Sequence, residues 1–287
     1  IWVDNSRKEY CMKKKNQYYM QTWHGFALKR IEKDAAETLP EGYADYAARD
    51  SAQTDVIVSN SALMSRIYRE SFWYSGAVEE FGSPRNDVFF APLQGVREKV
   101  CAALGVPEGR KMVLYAPTFR ADGSMEAYGV DYMRLRKALT ARFGGEWVVL
   151  VRLHPHVMEQ AKDLTFDGAV TFDATRYDDM QELLAAADAV VSDYSSLMFD
   201  YGLTRRPCFQ FATDIAAYQK DRNFYFPLQK MPFPLAEDND ALERAVLAWD
   251  AEQAGEEWDA FCREFGIHED GKAAARCADW ILDKMKG

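Results

Sequence analysis

Short apolar runs alternate with longer amphipathic segments along the chain. Six runs predict strands, at residues 17–22, 55–58, 111–116, 147–151, 189–191 and 207–211. Helical spacing of apolar residues is found at residues 61–68, 178–187, 197–201 and from 239 onward. Strands that alternate with helices favour parallel sheets with right-handed crossovers. We therefore expect an α/β protein with two Rossmann-like parallel-sheet domains, over residues 1–95 and 96–245, and C-terminal helices over residues 246–287 that pack back across both.

Capping residues refine these boundaries. Asp178 with Gln181 three residues later has the spacing of a capping box, which predicts the start of the helix over 178–187. The serines around Asn60 predict a cap for the helix that follows the strand at 55–58. Residues 214–226 are rich in aromatic side chains and are expected to form a loop.

The segment from Ser192 to Ser196 joins a strand to a helical pattern that begins at Leu197. In open α/β sheets such turns lie at the carboxyl ends of strands, where ligands bind. Ser195 or Ser196 can cap the helix, and outward-facing N–H groups there favour a phosphate. An ordinary serine cap explains the same residues, so both interpretations stay open from this segment alone.

Three further strand ends carry residues with suitable chemistry. His24-Gly25 follows the first strand, where histidine can accept a proton near neutral pH and glycine permits a turn and close ligand approach. Arg120 follows the strand at 111–116, and its guanidinium is suited to hold a phosphate. The strand at 147–151 is followed by Arg152, His154 and His156. The alternative for His24 and Arg120 is an ordinary loop residue.

Composition excludes several classes of protein. The pair His154 and His156 has spacing found in metal sites, but no neighbouring cysteine or acidic cluster completes a ligand set, so no metal is expected. The five cysteines lack CxxC spacing, which argues against zinc and disulfide frameworks and favours a reducing cytoplasm. The sequence contains no run of about 18 apolar residues, so no transmembrane helix is predicted. No secretory signal is visible either.

Charge is unevenly distributed. The net charge of −10 argues against a general nucleic-acid binder. Residues 1–33 nevertheless carry eight Lys or Arg against three acidic residues, which gives +5 for this segment and −15 for the rest. This segment is either a basic face for an anionic polymer or anionic lipids, or an ordinary solvated surface.

Five motifs in consistent order resemble the CDP-glycerol glycerophosphotransferase family, which comprises the polymerases and primases of teichoic acids and related capsule polymers. They are QTWHGFALKR at 21–30, GSPRND at 82–87, YAPTFR at 115–120, RLHPH at 152–156 and SDYSSLMFD at 192–200. The resemblance implies a glycosyltransferase-B fold without a metal or other cofactor. It also implies transfer of glycerol phosphate from CDP-glycerol to a hydroxyl of a polyol-phosphate or glycan acceptor, with release of CMP. We expect the first part of the family's amino-terminal domain to be missing.

The same resemblance assigns roles to residues. His24 is expected to be the general base, and His154, the second catalytic histidine, is expected to hold the donor diphosphate together with Arg120, Ser195 and Ser196. The other substrate-binding candidates are Gly25, Arg85, Arg152, His156 and Asp193. Lipid-linked acceptors in the family imply a peripheral position on the cytoplasmic face of the cell membrane.

Two other functions remain open. The first is a CMP-sialic-acid-dependent sialyltransferase of the same fold, in which an acidic pair followed by glycine precedes the His-Pro motif. Here the only such triplet, Glu269-Asp270-Gly271, comes after that motif, which disfavours this function. A non-catalytic polymer- or membrane-binding module would explain the basic first segment. A NAD-dependent oxidoreductase is disfavoured because no GxGxxG follows a predicted strand.

Overall fold

The structure, a computed structural model, describes residues 1–8, 12–120, 128–153, 166–221 and 223–286. Two compact units divide the chain. The first unit comprises Ile1–Ala91, Arg222–Tyr225 and Ala260–Gly287, and the second unit comprises Pro92–Asp221 and Phe226–Asp259.

Strands and helices alternate along most of the described chain. The strands are β1 (Trp2–Asp4), β2 (Tyr19–Gln21), β3 (Val56–Val58), β4 (Ala77–Glu79), β5 (Lys111–Tyr115), β6 (Trp147–Val151), β7 (Thr171–Asp173), β8 (Ala189–Ser192), β9 (Cys208–Phe211) and β10 (Leu235–Ala236). The helices are α1 (Tyr43–Gln53), α2 (Ala62–Ser71), α3 (Gln94–Leu104), α4 (Tyr132–Phe143), α5 (Met180–Ala186), α6 (Leu197–Gly202), α7 (Ile215–Asp221), α8 (Asn239–Ala248), α9 (Ala251–Phe265) and α10 (Ala273–Lys286). Short 3-10 segments lie at Glu32–Thr38, Pro84–Phe90 and Leu228–Lys230.

The first unit contains a four-stranded parallel sheet in the order β1-β2-β3-β4. Met20 of β2 pairs with Val56 of β3, and both side chains are fully buried. Cys277 of α10 packs on this apolar face with Trp280. The predicted strands at 17–22 and 55–58 are therefore confirmed, and so is the serine cap, because Ser61 Oγ accepts the N–H of Met64 at 3.1 Å.

The second unit contains a six-stranded parallel sheet in the order β10-β9-β8-β5-β6-β7. Its central strands are buried along almost their whole length, as expected for a parallel sheet covered on both faces. This burial explains why they appear in the sequence as unbroken apolar runs. The four strands predicted at 111–116, 147–151, 189–191 and 207–211 are confirmed to within one residue. With two parallel-sheet units, the predicted α/β fold class is confirmed.

Two local predictions are wrong. Helix α5 is capped by Asp179, not Asp178, because the Asp179 carboxylate accepts the N–H of Glu182 at 3.1 Å. The expected loop over 214–226 contains helix α7, which begins where Tyr218 N–H donates to the carbonyl of Asp214 at 2.9 Å. The aromatic residues suggested an irregular segment, but intervening alanines favour a helix.

Within the ranges given above, no helix has the length and apolar character required to cross a bilayer.

Candidate active site

His24 lies in the loop that follows β2. The backbone of this loop has a left-handed conformation at Trp23, where φ is +51°, and a positive φ of +136° at Gly25. Glycine tolerates such values, whereas a bulky residue is rarely found there. The N–H of Trp23 donates to Gln21 Oε1 at 2.8 Å and fixes the start of the turn. The chain therefore reverses at the strand end and exposes His24.

The imidazole of His24 has Nδ1 anchored, whereas Nε2 has no hydrogen-bond partner among the described residues. Its Nδ1 lies 2.9 Å from the backbone carbonyl oxygen of Asn5. A carbonyl only accepts hydrogen bonds, so this contact assigns the proton of the neutral ring to Nδ1 and leaves the lone pair on Nε2. The ring also stacks on Trp23 with centroids 4.2 Å apart and planes 28° apart. Both contacts orient Nε2 as a proton acceptor.

Arg85 lies next to His24 although the two are 61 positions apart in sequence. Its Nη1 donates to the backbone carbonyl of His24 at 2.5 Å. The pKa of His24 lies below its usual 6.5, mainly because neighbouring atoms reduce its hydration and further because of the Arg85 charge. The contact with Asn5 and the charge of Glu32 act in the opposite direction. The structure thus brings His24, Gly25 and Arg85 together around an imidazole that is neutral at pH 7.

Arg120 lies beyond β5 in the second unit and is buried, with 6% of its side chain exposed. Its Nε and Nη2 bind the two carboxylate oxygens of Asp214 at 2.6 and 3.0 Å, and Nη2 lies 2.9 Å from Asp193 Oδ2. Nη1 donates to the carbonyl of Thr118 at 2.6 Å. The interpretation of Arg120 as an exposed loop residue is therefore wrong.

Tyrosine rings enclose the Arg120 guanidinium. Its central carbon lies 5.0 Å from the ring centroids of both Tyr194 and Tyr218, and these two rings stack 3.8 Å apart. Tyr194 also donates its hydroxyl to Asp214 Oδ1 at 2.8 Å. Partial burial acts to raise the pKa of Asp214, but the hydrogen bonds from Arg120 and Tyr194 outweigh it and lower that pKa. Asp214 forms no recognisable pattern in the sequence, whereas Tyr218 falls in the aromatic-rich residues 214–226 and Tyr194 in the motif at 192–200.

Asp193 connects the ends of two neighbouring strands. It is 1% exposed, and its Oδ1 accepts the N–H of Thr118 at 2.9 Å and the Thr118 hydroxyl at 2.6 Å. The same oxygen accepts the N–H of Tyr194 at 2.7 Å. Asp193 thereby holds the loop after β5 against the turn after β8.

The serine turn follows directly. Ser195 and Ser196 are half-buried, and Ser195 Oγ accepts the N–H of Leu197 at 3.4 Å, a long hydrogen bond. Ser196 is the cap position but makes no side-chain cap. Among the described residues, the N–H groups of Ser195 and Ser196 donate to no partner. Helix α6 has only six residues, so these N–H groups and hydroxyls, rather than a long helix dipole, are what the turn offers a ligand.

Arg152 lies at the same edge of the sheet, because β5 pairs with both β6 and β8 and their carboxyl ends are adjacent. Its guanidinium donates to the carbonyls of Ala174 and Tyr177 and so holds the loop after β7. Burial lowers the pKa of Arg152, although nearby carboxylates oppose this effect. The predicted site residues His154 and His156 lie outside the described residues.

The acidic pair Glu269-Asp270 has partners of its own. Glu269 accepts the N–H of Ser83 at 2.9 Å and the side-chain amide of Asn60 at 3.1 Å, while Asp270 forms an ion pair with Arg276. Both carboxylates thus bind neighbouring residues of the first unit. No group of three or more potential metal ligands occurs in the part of the chain that the structure describes.

Two parallel-sheet units, with candidate site residues at the strand ends of each, are the arrangement expected of a glycosyltransferase-B type fold. Residues 1–283 match the sequence profile described as "CDP-Glycerol:Poly(glycerophosphate) glycerophosphotransferase", and the chain belongs to this family. The family predicted from the five motifs is thus confirmed.

Two curated relatives and one solved structure illustrate the similarity. The teichoic acid poly(glycerol phosphate) polymerase of Staphylococcus epidermidis is 33% identical over 310 residues, which cover 99% of this chain and 42% of that protein. The teichoic acid ribitol-phosphate primase of Bacillus spizizenii is 32% identical over 206 residues, covering 70% of this chain and 51% of that protein. This chain therefore spans about half the length of either relative or less.

The solved structure is a variant of the wall teichoic acid polymerase TagF soaked with CDPG. It has a TM-score of 0.82 and 32% identity, covering 99% of this chain and 73% of that chain. This match confirms the prediction of a glycosyltransferase-B type fold with two parallel-sheet domains.

Proposed function

We propose that the chain transfers glycerol phosphate from CDP-glycerol to a terminal hydroxyl of a teichoic-acid-type acceptor and releases CMP. The observation that carries this proposal is the geometry of His24, whose neutral imidazole has Nδ1 anchored on Asn5 and Nε2 available, next to Arg85. Membership of the family supports the choice of donor. The relatives named above support an acceptor of polyol-phosphate type.

The reaction moves one phosphoryl group. The acceptor oxygen forms a bond to the phosphorus that carries glycerol, the bond from that phosphorus to the bridging oxygen breaks, and CMP leaves with the electron pair. His24 Nε2 takes the proton of the attacking hydroxyl. A positioned base of this kind contributes about 10²- to 10⁴-fold in rate. Such transfers depend on in-line positioning and on neutralisation of the charge on the phosphate oxygens.

On the acceptor side, Arg85 supplies positive charge next to the base. Because its Nη1 holds the His24 carbonyl, the guanidinium is fixed in place relative to the imidazole. A polyol-phosphate chain end carries a phosphodiester close to its terminal hydroxyl, and a nearby cation favours that charge. Gly25 has no side chain to obstruct the approach of the chain end.

On the donor side, we assign the diphosphate to the serine turn at the carboxyl edge of the second unit's sheet. The N–H groups and hydroxyls of Ser195 and Ser196 are the donors, and Asp193 fixes the turn that carries them. Preorganised donors of this kind stabilise charge that develops in the transition state. Arg152, His154 and His156 are assigned to the same side by their motif, and Arg120 supports the turn through Asp193.

Two further parts of the proposal concern conditions and location. Protein donors neutralise the phosphates, so the reaction proceeds in the presence of EDTA.

The protein acts peripherally at the cytoplasmic membrane face on a lipid-linked acceptor, of teichoic acid or a related capsule polymer. The exposed Lys14 and Lys15 are available to anionic lipid, whereas Arg7, Lys8 and Lys13 form ion pairs with carboxylates of their own unit. Lysines near an anionic surface contribute about 1 kcal/mol each.

The test is CMP release from CDP-glycerol, CDP-ribitol and CMP-sialic acid, each with and without a poly(glycerol phosphate) acceptor and with EDTA throughout. We expect acceptor-dependent release from CDP-glycerol. Release from CDP-ribitol instead would show that ribitol phosphate is the transferred group. Release from CMP-sialic acid alone would show that the protein is not a polyol-phosphate transferase. Sedimentation with vesicles of anionic or neutral lipid, at low and high salt, tests the membrane part separately.

A further inference from the structure

We propose that Trp23 and Arg7 are positioning residues for His24, with Trp23 setting the plane of the imidazole and Arg7 holding both Trp23 and the Asn5 carbonyl in place. This inference rests on the proposed role of His24 as the base. No motif singled out Arg7, which in the sequence is one of several cations in a basic segment.

Arg7 is buried and forms many hydrogen bonds. Its side chain is 5% exposed, and it pairs with Glu32 at 2.9 Å and with Asp50 at 3.0 Å, both of which are 2% exposed. The remaining hydrogen bonds of Arg7 go to Ala47 O, Ser51 Oγ and Phe72 O. A buried ion pair is weak support for stability as such, because desolvation offsets attraction, but it can specify one conformation. We infer such a role here from what Arg7 contacts.

Arg7 reaches His24 by two routes. Along the backbone, it lies two residues after Asn5, whose carbonyl accepts from His24 Nδ1. Through the rings, its guanidinium carbon lies 5.1 Å from the Phe72 centroid and 6.0 Å from that of Trp23. Phe72 meets Trp23 edge-on at 4.8 Å, and Trp23 stacks on the imidazole. Both contacts that orient His24 therefore depend on the surroundings of Arg7.

Backbone strain is concentrated at the same place. Trp23 and Glu32 have φ values of +51° and +57°, in the left-handed region that side-chain-bearing residues seldom adopt. Such a conformation is strained and persists only where surrounding contacts determine it. Both side chains contact Arg7, which supplies such contacts. Strain of this kind is found preferentially at functional sites.

The consequence concerns the tautomer of His24. In free histidine the neutral ring mainly carries its proton on Nε2, and such a ring would present an N–H, not a lone pair, to the acceptor hydroxyl. The carbonyl of Asn5 reverses this preference only while the ring stays aligned with it. Loss of the Trp23 stack is therefore expected to increase the Nε2–H tautomer and the hydration of the ring.

The experiment is nitrogen NMR of the imidazoles in the full chain, which has four histidines. The His24 signal is assigned by its absence in His24→Gln. We expect the Nδ1–H tautomer with a pKa below 6.5 in the parent. In Trp23→Leu we expect a shift toward Nε2–H and a pKa closer to 6.5. An Nε2–H tautomer in the parent, or an unchanged tautomer and pKa in Trp23→Leu, would overturn the inference.

Trp73→Leu is the matched control. Trp73 is likewise half-buried in the first unit, has a φ of +51° and lies under a cation, Lys33, at 5.4 Å. Trp73→Leu should leave the His24 spectrum unchanged, and a change equal to that in Trp23→Leu would show a general structural effect. Trp23→Phe keeps an aromatic ring and should retain the Nδ1–H tautomer. Arg7→Lys keeps the charge but loses the fork geometry, and it should shift the tautomer in the direction of Trp23→Leu.

The NMR result is independent of catalysis, so it stands even if CDP-glycerol proves not to be the donor. Where transfer is observed, Trp23→Leu should lower kcat by up to about 100-fold, as misplacement of a catalytic group does. The KM for CDP-glycerol should change by less than about twofold, because Trp23 contacts the base rather than the donor. A rise in KM with unchanged kcat would contradict the positioning role.

Discussion

Replacing Arg120 by methionine is a perturbation whose effect on stability can be calculated from the structure. Methionine keeps much of the side-chain volume but removes the charge and all of the donors. Asp193, which is 1% exposed, loses its ion-pair partner at 2.9 Å, and Asp214 loses two hydrogen bonds. The carbonyl of Thr118 loses the donor at 2.6 Å.

Most of the destabilisation comes from Asp193. Its buried carboxylate cannot recover hydration, whereas the Asp214 side chain is 26% exposed and can do so in part. Removing one partner of a buried ion pair costs about 3–5 kcal/mol. For a unit of this size each kcal/mol lowers the Tm by about 2–4 °C. We therefore expect the Tm of the second unit to fall by about 6–20 °C.

The assay is differential scanning calorimetry of the full chain. It measures thermal unfolding directly and can resolve separate transitions for the two units. Arg134→Met is the control, because Arg134 also binds two carboxylates, Asp240 and Glu243, but 36% of its side chain is exposed, against 6% for Arg120. Exposed pairs contribute little, so this variant should unfold almost as the parent does. A Tm for Arg120→Met equal to that of Arg134→Met would refute the buried ion-pair reasoning.

Four further predictions concern the base, its pH dependence, the packing of the second unit and the charge of Asp214. His24→Gln should lower kcat by about 10²- to 10⁴-fold while calorimetry finds unchanged CDP-glycerol affinity; an equal loss of affinity would contradict its role as base. The parent kcat/KM should fall on acidification with a pKa below 6.5, because the imidazolium form of the free protein cannot accept a proton, and a midpoint above 6.5 would contradict the structure. Gly202→Ala would place a Cβ 2.3 Å from the Trp258 ring and should destabilise the second unit by about 1–3 kcal/mol, whereas Gly95→Ala has open space and should not. The pKa of Asp214 in the folded protein lies below 3.8, so its negative charge stabilises the fold above pH 3.8. This stabilisation is lost as the pH falls through the pKa of the folded protein. The difference in Tm between Asp214→Asn and the parent should therefore shrink as the pH is lowered below 3.8.

The six predicted strands could be recognised because their signal is local, whereas β4, β7 and β10, with only two or three residues each, were missed. A parallel strand covered on both faces must be apolar along its length, so the run at Trp147–Val151 indicates both its position and its burial. Helix starts depend on which of two adjacent side chains reaches a particular N–H. The sequence therefore placed the cap of α5 at Asp178, one residue before the Asp179 that forms it.

The candidate site was predictable as a set of positions but not as a set of contacts. Ligands bind at strand ends in α/β folds, and this rule drew attention to His24, Arg120 and Asp193. The sequence contained no indication that Asn5 would supply a carbonyl to His24 or that Asp214 would bind Arg120 from 94 residues away. These partners are a backbone atom and a common acidic residue, neither of which forms a pattern along the chain.

Arg7 and Arg120 show the same physical arrangement in the two units. Each is buried, each lies between two carboxylates, and each contacts aromatic rings beside a loop that carries a candidate site residue. A planar guanidinium can satisfy several acceptors and stack on rings at once, which lysine cannot do. Both arginines are therefore suited to fix the conformation of the loop beside them.

Arg85 differs from these two arginines in its surroundings. It donates a hydrogen bond to the carbonyl of His24 itself, and its charge acts directly on the pKa of that imidazole. Arg85→Ala should therefore raise the pKa of His24 and weaken acceptor binding without the large loss of Tm expected for Arg120→Met. Loss of Tm without a change in the His24 pKa would show instead that Arg85, too, serves only to hold a loop.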